Sequence, residues 1–170
     1  MKKAVLLTAF VFLFGGWLSE LQSAEDADAP KVLDFRTMVG VTGPFVGATN
    51  PVQGVPGAGA AWVNPRAQGK LKADGELEIK VRGLVLVQSG TNPVATFRGI
   101  VSCRSIDTST TPATASTVIV TTGAFPATTT GDSEIEENVV LPNPCVAPIV
   151  FVGPGAGAVR WFAATGVVTP

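Results

Sequence analysis

Beyond the first two dozen residues, apolar and polar positions alternate in short runs, and helical periodicity is hard to find. The clearest run covers 69–87. Lys70, Lys72, Glu76, Glu78, Lys80 and Arg82 alternate with Leu71, Leu77, Ile79 and Val81. That period of two is the mark of a strand with one wet face. Ala73-Asp74-Gly75 joins two arms. A two-residue Asp-Gly turn would set Lys72 against Leu77 and mix the faces. A three-residue turn sets Lys72 against Glu76, Leu71 against Leu77 and Lys70 against Glu78. This second register keeps the apolar side together and pairs opposite charges. It also gives Gly75 the left-handed position of the loop. After Gly83 both faces become apolar, from Leu84 to Val87. The strand is therefore expected to enter a buried middle there, with a bulge at Gly83.

Further strands are expected at 32–41, 60–63, 95–104, 117–122, 133–141, 146–152 and 158–164. These runs are rich in Val, Ile, Thr and Phe, which suit a pleated surface. Phe97, Val101 and Cys103 share one face of their run. Ile135, Val139 and Leu141 share a face opposite Glu134 and Glu136. Four Asn-Pro pairs, beginning at Asn50, Asn64, Asn92 and Asn143, break the chain between runs, because the residue before Pro is pushed out of the helical region. About eight or nine short strands without convincing helices predict an all-β domain over 32–170. The expected form is a single β-sandwich, Ig-like or jelly-roll-like, or a related barrel.

Two segments are irregular. Residues 44–59 hold four Gly and three Pro, which no regular central strand tolerates. A long loop across an open end of the sandwich is expected. Residues 108–117 carry seven hydroxyl side chains in ten, as in a mobile loop or β-edge; O-glycosylation is the sharper reading and rests on composition alone.

The N-terminus has a different grammar. Met1-Lys2-Lys3 is followed by an uncharged apolar run from Ala4 to Leu18, then by Ser23 and Ala24. This is the order of a secretory signal peptide rather than of an anchor, since about 20 apolar residues are needed to span a bilayer. Cleavage is expected after Ser23 or Ala24, leaving 25–31 as a flexible lead-in. Removing Lys2, Lys3 and Glu20 takes the balance from 12 basic and 13 acidic residues to 10 and 12. No transmembrane segment is expected in the mature chain. Near-neutral charge argues against a nucleic-acid partner, which needs a basic footprint.

An exported chain meets oxidising conditions, so Cys103 and Cys145, the only two cysteines, are expected to form a disulfide. Closing a loop of 42 residues restricts the unfolded chain by about 4 kcal/mol in the entropy model.

Candidate chemistry is sparse. The chain has no His, which excludes Ser-His-Asp and Cys-His catalysis and His-ligated zinc from this chain alone. Asp132, Glu134 and Glu136 would point the same way on a strand and offer hard oxygen ligands for calcium; a solvated outer face explains the same spacing. Glycoside hydrolysis needs two carboxylates across a cleft, and Glu76 and Glu78 already face lysines. A small hydrolase with a Ser-Lys pair, such as Ser89 or Ser102 with Lys80, is the remotest alternative. No cofactor is implied. Trp62 follows the Gly/Pro segment and Trp161 lies between Arg160 and Phe162. Either could serve as an aromatic platform for a carbohydrate or other ligand, although burial is the usual fate of Trp in a small sandwich.

The strings GVPGAGAAWV (54–63), KLKADGELEIKVRGLVL (70–86), FRGIVSC (97–103) and LPNPCVAPIVFV (141–152) resemble small secreted bacterial all-β proteins that remain uncharacterised. The resemblance implies an exported, disulfide-stapled domain and carries no activity. The expected role is a secreted or periplasmic, non-enzymatic structural or interaction protein with a protein or glycan surface partner. A ligand-binding module built on Trp62 or Trp161 is the alternative.

Overall fold

The computed structural model describes residues 28–165, apart from Asn64 and Thr110. The expected signal segment lies outside the described residues. Ten strands follow one another: β1 (Lys31–Phe35), β2 (Met38–Gly40), β3 (Arg66–Lys72), β4 (Glu76–Arg82), β5 (Thr96–Asp107), β6 (Thr114–Thr121), β7 (Phe125–Pro126), β8 (Ser133–Asn138), β9 (Val146–Pro154) and β10 (Ala163–Thr165). Among the described residues a 3-10 turn spans Gly43–Phe45. Two antiparallel sheets form a sandwich. The first has the order β1-β3-β4-β8, and the second β2-β10-β9-β5-β6, with β7 also paired to β5.

The β3–β4 hairpin has the three-residue register. Lys70 faces Glu78 and Leu71 faces Leu77. Gly75 takes a φ of 97°, and a Cβ there would meet the Val139 carbonyl oxygen at 1.9 Å. Only glycine suits that conformation at that approach. The alternation continues into β8, where Ile79 faces Ile135 and Lys80 faces Glu134. Leu71, Leu77, Ile79, Val81 and Ile135 thus line the inner face and are fully buried. Phe97, Val101 and Cys103 of β5 and Val150 and Val152 of β9 are equally buried, and alternation places them on the facing sheet. Each such aliphatic side chain contributes about 1.5–3 kcal/mol by leaving water. Gly99 permits close approach, because a Cβ would lie 2.9 Å from Leu77 Cδ2.

Several expectations are corrected, among them the strand at 60–63, where only an isolated bridge from Trp62 to Leu86 forms. The run 32–41 is two strands. Phe35 and Met38 are both buried, at opposite ends of a short crossing from the first sheet to the second. The strand expected through 84–87 stops at Arg82. Gly83 adopts a φ of 74°, and its N–H donates to Asp132 Oδ1 instead of to a ladder. Residues 28–31, the described part of the expected lead-in 25–31, make contacts with the sandwich. The Pro30 carbonyl accepts the Ala73 N–H, Asp28 pairs with Lys72, and Lys31 already belongs to β1.

The Gly/Pro segment 44–59 is not draped over an open end. It covers the outer face of the second sheet. Val52 and Val55 exchange backbone hydrogen bonds around Gln53 and Gly54, both at positive φ, the signature of a tight hairpin turn. The buried Ser102 hydroxyl donates to the Gln53 carbonyl. Pairing β5 with β9 sets Ile100 opposite Phe151; both are fully buried although they lie on the outward side. Strands apolar on both faces need a cover on each, and this segment supplies the second. The disulfide joins Cys103 to Cys145 with Cα atoms 5.0 Å apart. It staples neighbouring strands of one sheet beside an irregularity in the β5–β9 ladder.

Candidate functional site: a cationic groove at the crossing between sheets

The outer face of the first sheet is where the chain displays its charge. Its two ends differ. Near the β3–β4 turn, cations and anions balance. Lys70 Nζ lies 3.0 Å from Glu76 and 2.8 Å from Glu78. Lys72 is buried and donates to Asp28 and to Glu76, the latter at 2.6 Å. Hydrogen bonds from Lys72 and Lys70 hold the Glu76 carboxyl down to about 2. Those from Asp28 and Glu76 push the Lys72 ammonium above its ordinary value.

At the other end the balance fails. The register that pairs Lys70 with Glu78 also sets Arg66 directly opposite Arg82, and Gln68 opposite Lys80. Like charges facing each other across a ladder are destabilising, by about as much as opposite charges stabilise, roughly 0.2–1 kcal/mol. Arg36 joins them from the crossing between β1 and β2, held there by the buried Phe35 and Met38 on either side. The four cations line one groove of about 520 Å³, together with Thr37, Pro65 and Gln68. An adjoining groove of about 440 Å³ shares Arg36, Gln68 and Lys80 and continues past Asp34 and Lys31 towards Lys70 and Glu78.

Among the described residues, one carboxylate compensates this end. Glu134 Oε1 lies 2.9 Å from Arg82 Nη2, while its Oε2 is 3.9 Å from Lys80. Among the described residues, no ion pair engages Arg36 or Arg66. A guanidinium offers planar, forked donors that match carboxylate or phosphate oxygens. Chemically the groove can hold an acid group. It offers no nucleophile with an activating base.

The residues singled out from sequence sit elsewhere. Trp62 and Trp161 are each 3% exposed, so neither ring is displayed as a platform. Trp62 stacks on Phe162 at 3.9 Å and meets Phe97 edge-on. Trp161 packs between Phe45 and Phe151 beneath the Gly/Pro segment. Their large apolar area drives both into the two sides of the second sheet. Asp132, Glu134 and Glu136 do not converge. Asp132 accepts the Gly83 N–H and the Thr130 hydroxyl, Glu134 turns to Arg82, and Glu136 stands opposite Glu78. Among the described residues, no group of three or more acidic, Cys or His side chains is arranged to hold a metal ion. Ser102 is buried and engaged with Gln53, on the other sheet from Lys80. Sequence reasoning missed Arg36 and Arg66, although extending the predicted hairpin register would have exposed the Arg66–Arg82 clash.

No family model matches the chain, nor does any curated protein or solved structure. Among the described residues, no helix is long and apolar enough to cross a membrane. The disulfide fits an extracellular location.

Proposed function

We propose that this chain is an exported, non-enzymatic interaction protein that binds an acidic polymer of the cell envelope or its surroundings. Its binding surface is the groove formed by Arg36, Arg66, Lys80 and Arg82. The carrying observation is Arg66 directly opposite Arg82 with Arg36 and Lys80 in the same groove. A fold gains nothing by facing two guanidiniums across a ladder, so the arrangement is best explained by an anion that bridges them. The adjoining groove lengthens the surface, which favours a chain with acid groups at intervals over a single small anion. Carboxylate-bearing polysaccharide is the class preferred here, because forked guanidinium contacts match carboxylates and the polar Gln68 between them suits hydroxyls. This keeps the expected glycan partner and moves its site away from the tryptophans.

The test is calorimetric titration of the oxidised domain with polygalacturonate, with neutral dextran as the control. Binding of the acidic polymer alone is expected. Arg66→Ala should weaken it at least tenfold and leave the free domain as stable as the wild type or slightly more so, by up to about 1 kcal/mol, because a like-charge pair is relieved. Equal binding of both polymers, or no effect of Arg66→Ala, would overturn the assignment.

A further inference from the structure

A sandwich has four open strand edges, and three of these are guarded. At one edge of the first sheet, β1 carries Lys31 and Asp34 and is followed by Arg36. At the other edge, β8 carries Glu134, Glu136 and Glu137, all exposed. In the second sheet, β2 is only three residues long. Charge and shortness are the usual devices that stop edges from pairing with foreign strands.

The fourth edge, β6, has neither device. Over Thr114–Thr121 it reads TASTVIVT, with no charge and no proline. Among the described residues its ladder runs to β5 alone, in an unbroken register from Ile100↔Thr121 to Asp107↔Thr114. Its residues are β-branched or small, the composition that pairs best. Within it Ile119 is 37% exposed, and beside it on β5 Ile106 is 48% exposed. Their register partners, Ser102 and Ala115, put both on the outward face of the sheet.

We infer that β6 is the interface with a second copy of this chain, pairing antiparallel with its counterpart so that the two second sheets become one. Symmetry tests the idea against the sequence. A twofold axis normal to a continuous sheet pairs only residues that share a face. With the axis at Val118, the seven residues 115–121 pair completely. Thr117 faces Ile119 of the other copy, Ser116 faces Val120, and Ala115 faces Thr121. Val118 meets Val118 on the axis, small or hydroxyl side chains meet larger apolar or hydroxyl ones at the other steps, and nowhere do two ions meet. The chain carries a net charge of −1, yet this seam is uncharged, so two copies approach without repulsion between facing ions. The guarded edges lack this self-complementarity: β8 against itself would oppose glutamates. The interface involves none of the groove residues, so it stands or falls independently of the acidic-polymer reading.

Sedimentation equilibrium of the oxidised protein, up to about 1 mM, the weak end of specific association, reads this directly. Wild type is expected to reach twice the monomer mass. Ile119→Lys and Thr117→Glu, the latter opposite Arg104 of its own copy, each place two like charges across the seam and are expected to remain monomeric with an unchanged thermal transition. Val140→Lys, at a residue 88% exposed outside β6, should dimerise like the wild type. A wild type that stays monomeric over the whole range overturns the inference. So does a dimer that survives both β6 substitutions, which would place the contact elsewhere.

Discussion

Opening the Cys103–Cys145 bridge should cost the fold about 4 kcal/mol. The two residues lie 42 apart in sequence, and a closed loop of that length removes about 13 cal/mol/K from the unfolded chain in the entropy model. Two features keep the loss close to that value. Cys103 belongs to β5 and Cys145 immediately precedes β9, and these strands already pair in one sheet, so the folded state changes little when the bond opens. Cys103 is fully buried, so reducing wild type, which keeps both sulfurs, separates the crosslink from the cavity left by Cys103→Ala. Urea unfolding of oxidised and reduced protein at neutral pH should show the 4 kcal/mol difference. Thermal unfolding should show a fall of about 14 °C, at roughly 3–4 °C per kcal/mol for a domain of this length. The Cys103→Ala/Cys145→Ala variant should lose about 1 kcal/mol more. A difference under about 1 kcal/mol between oxidised and reduced protein would refute the reasoning, because it would mean that the loop ends are already held together in the unfolded chain.

Three other outcomes follow from side chains near the core and the turn. Glu76 has a folded value of about 2 against 4.5 in the free residue; its contribution to stability is present above 4.5 and is lost as pH falls from there through about 2. Acid unfolding should therefore shift to higher pH in Glu76→Gln, and an unchanged midpoint would count against the Lys72 pair as its cause. Gly75→Ala should cost at least about 1 kcal/mol from the positive φ alone, with the Val139 carbonyl contact adding to it; a neutral result in urea unfolding would show that the turn can relax. Trp62→Ala should cost about 3–5 kcal/mol. Trp161→Phe should cost much less, since it removes an indole N–H that is buried without a protein acceptor among the described residues; equal losses would contradict that view of the two rings.

The charged hairpin was legible in sequence because a register fixes every facing pair at once. One choice, the three-residue turn, carried Leu71↔Leu77 and Lys70↔Glu78, and the same choice implied Arg66↔Arg82. The groove was harder to see. Arg36 lies thirty residues before Arg66 in the chain, and no local pattern says that the strand from Val32 breaks at Arg36-Thr37 and changes sheets. Burial of Phe35 and Met38 on different sheets decides it. The tryptophans were misleading for a related reason. Periodicity shows which positions share a face of one strand, but not whether that face is later covered, and Trp161 lies under a Gly/Pro segment a hundred residues earlier in sequence.

The sequence by itself determined the all-β class, the hairpin register and the one available disulfide. These depend on neighbours in the chain, on a period of two, and on there being only two sulfurs to join. Which strands share a sheet, which face of β5 and β9 receives a second cover, and which edge remains open were decided by tertiary structure. Each depends on segments far apart in sequence competing for the same apolar surface, and only the packed chain records which segment won.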